Sequence, residues 1–176
     1  FHRTEVEPDT YSFGDTVMGV HQTGRFSNGG SSNIGYVVST DAGVTWSSGF
    51  LPGTTVFASP AGPWDRISDP SVAYDPAHDV WMVNTLAIAG TTGKAILVNR
   101  STDGGLTFGN PVTVDTAQGS QFSDKNWIAC DATPASPFYG NCYTEWDDAN
   151  SGNRLHVSRS TDGGLTWGSR QVLDAA

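Results

Sequence analysis

Charged and aromatic side chains alternate in several short segments of this sequence, and together they could bind and cleave a sugar. Aromatic rings stack on pyranose faces, an arginine pairs with a carboxylate through two hydrogen bonds, and two carboxyl groups can perform acid/base cleavage. Any one of these charges is more typical of a solvated loop. Whether these residues form a sugar site therefore depends on the strands and loops that position them. The candidates are Arg25, Phe26, Trp64, Arg66, Asp69, Phe122, Asp124, Lys125, Glu145, Trp146, Asp147, Asp148 and Arg154.

Three carboxylates are the catalytic candidates. Asp69 and Asp124 each stand just before a predicted strand, in "DPSVAYD" and "DKNWIACD", and we expect them at equivalent positions of a repeated unit. A repeated position suits a structural role, such as holding a linker, as well as it suits catalysis. Glu145 is the third candidate. The candidates for substrate binding are Arg25, Trp64, Arg66, Lys125, Trp146 and Arg154.

One nonapeptide occurs three times, as "STDAGVTWS", "STDGGLTFG" and "STDGGLTWG". Its aspartates, Asp41, Asp103 and Asp162, are 62 and 59 residues apart. A period near 60 residues suits a unit of four short strands with their connections. The sequence therefore predicts three units, at about residues 1–60, 61–118 and 119–176.

Each unit is predicted to be an antiparallel meander of four strands. The middle unit is "SVAYD", "VWMVNTLAI", "KAILVNRS" and "NPVTVD", and the third is "WIACD", "NCYTEW", "RLHVSRS" and "RQVLD". The nonapeptide is then the turn between the third and fourth strands. There the Asp side chain accepts backbone N–H groups and glycine supplies a positive φ. We expect Trp46, Phe108 and Trp167, the eighth residues of the nonapeptides, to pack between units.

The pattern Ser-x-Asp-x-Gly-x-Thr-Trp/Phe resembles the Asp-box, or bacterial neuraminidase repeat. "GRFSNGGSSNIGYVVSTDAGVTW" and "FSDKNWIACD" resemble secreted bacterial sialidase-like proteins, and the likeness covers almost the whole chain. The resemblance implies an all-β fold of about three β-propeller blades, within a ring of six or seven. It implies boxes that are structural, a glycan substrate or ligand, and a secreted protein. Meander geometry places the functional loops at the end opposite the boxes.

Sialidases hold the substrate carboxylate with three arginines, the first in an Arg-Ile-Pro motif that opens the first blade. This chain has "EVEPDTY" near that place, and "RIS" at Arg66 is only a fragment of the motif. Three hypotheses therefore remain: a sialidase-like glycoside hydrolase acting on extracellular glycans, a non-catalytic propeller that binds glycans or proteins, and a structural segment whose site other blades complete.

Composition and charge exclude several classes of partner. With 18 acidic and 9 basic residues the net charge is -9, which disfavours nucleic acid and anionic membrane surfaces. No apolar run approaches the roughly 20 residues of a membrane span. We expect no cofactor and no metal; "DDANSGN" resembles a calcium loop only weakly, because it lacks the distal Glu.

The two cysteines and the chain ends give two further expectations. Cys130 and Cys142 fall in neighbouring predicted strands and can form a disulfide only if the register places them opposite each other, so both states stay open. A disulfide would argue for an oxidising setting. The chain opens without Met and is interpreted as a mature or excised segment. Three blades alone would leave two blade faces open, so we expect further blades or a second copy to close the ring.

Overall fold

The computed structural model describes residues 4–173. Residues 1–3 and 174–176, with which the first predicted unit begins and the third ends, lie outside the described residues. The described chain is all-β and antiparallel, with one 3-10 turn (Ala149–Ser151) and no α-helix. Its strands are β1 (Glu5–Phe13), β2 (Thr16–Arg25), β3 (Ser31–Ser39), β4 (Ser47–Phe50), β5 (Arg66–Asp75), β6 (Val80–Ala89), β7 (Thr92–Ser101), β8 (Val112–Thr116), β9 (Ser123–Cys130), β10 (Cys142–Asp148), β11 (Arg154–Ser160) and β12 (Gln171–Leu173).

The strands form three meanders of four: β1 to β4, β5 to β8, and β9 to β12. In the strand pairing, one residue pair, Ser31 of β3 with Ile67 of β5, connects the first meander to the second, whereas the third forms a separate sheet. The predicted four-strand units are therefore present. Within the described residues, no helix is long and apolar enough to cross a membrane.

The second meander lies between the other two. One core cluster joins it to the first meander and includes Met18, Ile34 and Trp81. A second cluster joins it to the third meander through Met82 and Ile128. Strand β6 is buried on both faces, which explains why its sequence is a nearly continuous apolar run and not an alternating one. Burial of each such large side chain stabilises the fold by about 1.5–3 kcal/mol.

The repeated nonapeptides form the turns between the third and fourth strands, as predicted. In the third copy, Asp162 Oδ1 accepts from the Ser160 hydroxyl (2.8 Å) and the Thr166 amide (3.0 Å), and Oδ2 accepts from the Thr166 hydroxyl (2.5 Å). Asp41 and Asp103 accept the same three bonds. We call these three turns the box turns.

The hydrogen bonds of the box turns stabilise the ionised aspartates. Burial acts to raise the pKa of Asp162, but the donors of Thr166 and Ser160 outweigh it and lower the pKa to about 2. At Asp41 the Thr45 hydroxyl and amide, followed by the Ser39 hydroxyl, lower the pKa to about 2. The box aspartates are therefore carboxylates that stabilise a turn.

The aromatic residues that end the box turns do not all pack alike. Phe108 is buried against Tyr36, with ring centroids 4.9 Å apart, and Trp167 packs on the second core cluster. The prediction is wrong for Trp46, which is 52% exposed and donates its indole N–H to the Gly43 carbonyl. The Trp46 ring lies outside the contact between the first and second meanders, and its hydrogen bond to Gly43 closes its own turn instead.

Cys130 and Cys142 form a disulfide. They lie directly opposite each other in the paired strands β9 and β10, as the bonded alternative requires. The bond closes the loop of residues 131–141, where Asp131 accepts from the Thr133 amide and the Ser136 hydroxyl.

Candidate functional site

The first strand of every meander carries the same irregularity. Two residues of β1, β5 and β9 oppose one residue of the neighbouring strand, and the first of the two has a positive φ. These residues are Glu7 (54°), Asp69 (47°) and Lys125 (50°). A left-handed non-glycine residue costs about 1–3 kcal/mol, and such strain concentrates at functional sites. The three bulges therefore mark a candidate site.

The bulge residues converge because β1 contacts β5, and β5 contacts β9. They line a pocket of about 280 Å³, here called the axial pocket. It lies in the half of the strands away from the box turns, where the sequence predicts the site. Its lining is Glu7, Pro8, Asp69, Pro70, Lys125, Asn126, Trp127 and Glu145.

Glu7 is the carboxyl group in the axial pocket with a perturbed proton affinity. Gln22 donates its amide to Glu7 Oε2, and Arg25 lies 3.3 Å from Oε1. The Glu7 side chain is 42% exposed, and its partial burial raises the pKa. The neighbouring Asp69 carboxyl raises the pKa further, by its charge and by a side-chain hydrogen bond with Glu7. Arg25 and Lys125 oppose this effect without cancelling it. Glu7 is therefore a carboxyl group that keeps its proton to a higher pH than usual.

Asp69 is held by donors on one oxygen only. The Ser68 hydroxyl donates to Oδ1 (2.7 Å), and the Lys125 ammonium lies 3.8 Å from Oδ2. Within the described residues, Oδ2 is buried and accepts no hydrogen bond. A buried acceptor of this kind calls for a donor, and the neighbouring Glu7 carboxyl, which shares a side-chain hydrogen bond with Asp69, can supply it when protonated.

A pair of buried amides connects two of the bulges. Asn126 donates its side-chain amide to the Asp69 carbonyl (3.0 Å) and to Asn84 Oδ1 (2.5 Å). Asn84 in turn donates to the Leu97 carbonyl (3.0 Å). This chain of bonds, here called the amide strut, fixes the Lys125 bulge against the Asp69 bulge across the boundary between two meanders.

Trp127 and Glu145 form another wall of the axial pocket. They are partners in the register of β9 and β10, and side chains directly opposite each other in a strand pair are neighbours on one face. The Trp127 side chain is 50% exposed. An exposed indole beside a carboxylate offers a stacking surface for a sugar ring.

Asp124 lies in a neighbouring, smaller pocket of about 190 Å³, with Phe122 and the apolar side chains of Leu86 and Ile88. Its partner in the register is Asp147. Burial raises the pKa of Asp147, and the charge of Asp124 raises it further. Asp124 therefore contributes to the acidic surroundings of Lys125 and does not line the axial pocket.

The expected equivalence of Asp69 and Asp124 is wrong by one residue. The residue equivalent to Asp69 is Lys125, because both occupy the bulge with positive φ. Asp124 is equivalent to Ser68, which precedes the bulge. A bulge adds a residue to one strand without any sign in the hydrophobic pattern, so the two "SD" segments align incorrectly by sequence.

The structure corrects the interpretation of Trp146, whereas the substrate-binding role of Trp64 stays a prediction. Trp146 is 0% exposed and packs in a core cluster with Leu86 and Ile96, so its ring cannot stack on a ligand. Trp64 is partly buried against the first core cluster. Trp127, one strand over from Trp146, is the exposed indole that the sequence interpretation missed.

The predicted arginines contact the protein itself. Arg25 donates to Glu7 and to Gln22 Oε1 (3.2 Å). Arg66 donates to Asn28 Oδ1 (2.6 Å) and the Gly29 carbonyl (2.8 Å), and its guanidinium lies 4.6 Å from the centroid of the Phe26 ring. Arg154 is exposed at the start of β11, opposite Asp148.

Glu7 is the main functional candidate that the sequence interpretation missed. A signal was present, because "EP" at Glu7–Pro8 and "DP" at Asp69–Pro70 place an acidic residue and a proline at the same position of two units. The irregular opening strand of the first unit obscured this alignment.

The residues that resemble a calcium loop have other roles. Asp148 accepts from the amides of Phe122 and Asn150 and from the Ser151 hydroxyl, and it caps the 3-10 turn. In residues 4–173, no group of three or more His, Cys, Asp or Glu side chains is arranged to hold a metal ion. The weak calcium expectation stays a prediction.

A larger depression of about 640 Å³ lies on the third meander, lined by Tyr143, Val157, Arg159, Trp167 and Gln171 among others. Its lining contains no carboxyl group. It therefore offers no acid/base pair, and the axial pocket is the better candidate for chemistry.

No protein-family model and no curated protein sequence matches the chain. Solved structures do match it. A Hadza microbial sialidase superposes with a TM-score of 0.64 at 18% identity, over 94% of this chain and 37% of its own. For an exo-β-1,3-galactanase from Phanerochaete chrysosporium the TM-score is 0.63 at 13% identity, over 97% and 38%. The catalytic domain of a GH62 α-L-arabinofuranosidase from Coprinopsis cinerea gives 0.60 at 15% identity, over 97% and 50%.

Over the matched part, the chain shares its all-β fold with these three glycoside hydrolase structures. At these identities the likeness concerns the fold. The chain spans between 37% and 50% of the length of the three structures named above.

Proposed function

We propose that this chain is part of a secreted β-propeller glycoside hydrolase that acts on extracellular glycans, with the axial pocket as its active site. The observation that carries the proposal is the raised pKa of Glu7 beside Asp69 in a pocket with an exposed indole. Glycosidases need one carboxyl group that stays protonated and another that is ionised, and different surroundings produce that difference.

Each residue of the axial pocket has a distinct role in this proposal. Glu7 donates its proton to the glycosidic oxygen as the bond to the leaving group breaks. Asp69 raises the pKa of Glu7, and its charge stabilises the positive charge that develops on the sugar ring. Glu145 is the further carboxylate, available to attack the anomeric carbon or to activate a water. Lys125 orients the Asp69 carboxylate, and Trp127 stacks on the sugar.

The three meanders are, in this proposal, three blades of a larger ring. Two observations support it: the first strands β1, β5 and β9 contact one another in order, and the chain spans less than two thirds of the structures it resembles. Further blades, or a second copy, would complete the ring. The disulfide supports an oxidising, extracellular setting.

The second candidate is a non-catalytic propeller that binds glycans. Arg25 favours it, because this arginine is hydrogen-bonded to Glu7 and Gln22. It therefore does not take the role of the Arg-Ile-Pro arginine, which holds the substrate carboxylate in sialidases. A glycan-binding pocket requires Trp127 and the polar walls but no proton donor.

Hydrolysis of a panel of fluorogenic glycosides by the protein that carries this chain separates the two candidates. We expect turnover that falls at least about a hundredfold in Glu7→Gln, because general acid catalysis contributes about that much or more. Glu145→Gln should also be impaired. Asp103→Asn, in a box turn, is the matched control and should retain turnover. Glycan binding without turnover in the unmodified protein would favour the second candidate.

A further inference from the structure

The axial pocket shows which charge its ligand can carry. We propose that it binds an uncharged sugar and rejects sugars that bear a carboxylate, such as sialic and uronic acids. This inference rests on the proposed function for the identity of the site, and it concerns binding as much as cleavage.

The carboxyl groups of the pocket outnumber its cations. Glu7, Asp69 and Glu145 line it, and Lys125 is the one basic residue among the lining residues. The ammonium of Lys125 lies 3.8 Å from Asp69 Oδ2 and is therefore directed at a carboxylate of the protein. A carboxylate on the ligand would approach Glu145 and Asp69, and like charges placed together oppose binding.

The arginines that a carboxylate ligand would need are already engaged. Arg25 donates to Glu7 and Gln22, and Arg66 donates to Asn28 and the Gly29 carbonyl. Bidentate recognition of a carboxylate would require one of them to exchange these bonds for the ligand. Each exchange would also leave a polar group of the protein without its donor, which costs free energy.

The remaining surfaces suit a neutral ring. Pro8 and Pro70 give the pocket apolar contacts, and Trp127 presents an exposed indole. The face of an aromatic ring is electron-rich, so it attracts the C–H groups of a sugar and repels an anion. Sugar hydroxyls can donate to the exposed Glu145 side chain, which lines the pocket beside Trp127.

The charge of the pocket therefore discriminates against anions. Lys125 already supplies its positive charge to Asp69, and the remaining acidic side chains, Glu7 and Glu145, offer a ligand carboxylate no positive charge. An uncharged sugar fits the pocket better than a sugar that bears a carboxylate.

Two measurements on the protein that carries this chain test the inference, and the second does not depend on catalysis. The first is hydrolysis of 4-methylumbelliferyl glycosides of galactose, arabinose, xylose and glucose beside those of sialic acid and glucuronic acid. The second is binding to an array of neutral and acidic glycans. We expect turnover and binding only with the neutral members.

Trp127→Ala should weaken neutral-glycan binding by about tenfold, because the sugar loses its stacking on the indole. A tenfold change in affinity corresponds to about 1.4 kcal/mol. Trp46→Ala is the matched control, since Trp46 is 52% exposed and Trp127 is 50% exposed, but Trp46 lies at a box turn. The control should leave binding unchanged.

The possible outcomes are distinct. Hydrolysis of the sialoside or glucuronide would overturn the inference while supporting a glycoside hydrolase. Neutral-glycan binding that depends on Trp127, without any hydrolysis, would support the inference and contradict the proposed catalysis. A preference of the array for acidic glycans, or no binding and no turnover on any of them, would overturn the inference.

Discussion

The box turns and the bulges are two sets of repeated features at different ends of the same sheets, and they repeat in different ways. In the box turns the residues are conserved from copy to copy: Ser, Asp and Thr recur, and the three Asp side chains accept the same bonds. In the bulges the backbone recurs, with φ between 47° and 54°, while the side chain changes from Glu7 to Asp69 to Lys125.

The difference separates residues that build the sheet from residues that act at its surface. A turn that depends on a side chain must keep that side chain in each copy. A bulge that depends on its backbone leaves the side chain free to differ, and in this chain two bulges carry an acid and one a base. Repetition of residue identity therefore indicates structure, and repetition of backbone with varied charge indicates a site.

After Glu7→Gln, the largest effect should come from Asp69→Asn. Asparagine tolerates a left-handed φ and matches the shape of aspartate, so we expect a folded protein. The pKa of Glu7 should fall, because Asp69 raises it. In the proposed mechanism Glu7 acts in its protonated form, so the alkaline limb of the profile of kcat/KM against pH should move to lower pH. Turnover should drop by about tenfold to a hundredfold.

Lys125→Gln is the opposing variant. Lys125 lowers the pKa of Glu7, so its removal should raise that pKa and move the alkaline limb to higher pH. Asp103→Asn at a box turn should move the limb in neither direction. Limbs that shift the same way in the Asp69 and Lys125 variants would contradict the assignment of Glu7 as the acid.

A smaller effect is expected from the amide strut. Asn126→Ser removes its bonds to the Asp69 carbonyl and to Asn84, which should lower the free energy of unfolding by about 1–3 kcal/mol. Asn99→Ser is the matched control, because Asn99 is also buried and donates to the Pro52 and Gly109 carbonyls.

The two asparagine variants should differ in the pH profile. Release of the strut frees the Lys125 bulge, so Asn126→Ser should shift the alkaline limb upward, by less than Lys125→Gln does. Asn99→Ser should lose stability without a shift. Denaturant unfolding and pH profiles on both variants measure this. Identical pH profiles for Asn126→Ser and Asn99→Ser would show that the amide strut has only a structural role.

At the box end, Asp162→Ala should destabilise the protein by about 1–2 kcal/mol without changing turnover, because the turn loses hydrogen bonds at an exposed site. The folded pKa of Asp162 is about 2, below the ordinary value of 3.8. Its stabilising effect is therefore complete above the ordinary value and is lost as pH falls toward 2. Melting curves of the two proteins should converge there. A gap that persists in acid would contradict the role of the carboxylate.

The smallest effect concerns Ala42, which has a φ of +55° where the other box turns have Gly104 and Gly163. Ala42→Gly should stabilise the protein by about 0.5–1 kcal/mol, because glycine adopts this conformation without a steric penalty. A melting temperature that falls instead would show that the first box turn does not share the energetics of the others.

The sequence predicted the sheets and the box turns well because both depend on local chemistry. Apolar runs between turn residues indicate the strands, and the Ser-Asp-Thr pattern forms its turn from its own side chains. The bulges depend on register between strands, and this pairing is not visible in one segment alone. For that reason the sequence indicates Lys125 as a candidate but does not show that Lys125 is equivalent to Asp69.

The tryptophans Trp127 and Trp146 were misinterpreted for the same reason, because the face on which each lies depends on strand register. Trp127 and Trp146 lie in adjacent strands on opposite faces of the sheet, because side chains alternate along a strand and the bulge at Lys125 changes the phase. One faces the axial pocket and the other the core. No property of either segment alone distinguishes them.

The backbone bulges also bear on how such a pocket could diversify. A substitution at Glu7, Asp69 or Lys125 changes the charge of the pocket by a whole unit, while the neighbouring pairs of each strand keep their register. Asparagine or glycine would even relieve the left-handed strain. Three such positions provide independent routes by which selection, or a designer, could adapt the pocket to new ligands while the propeller sheets keep their packing.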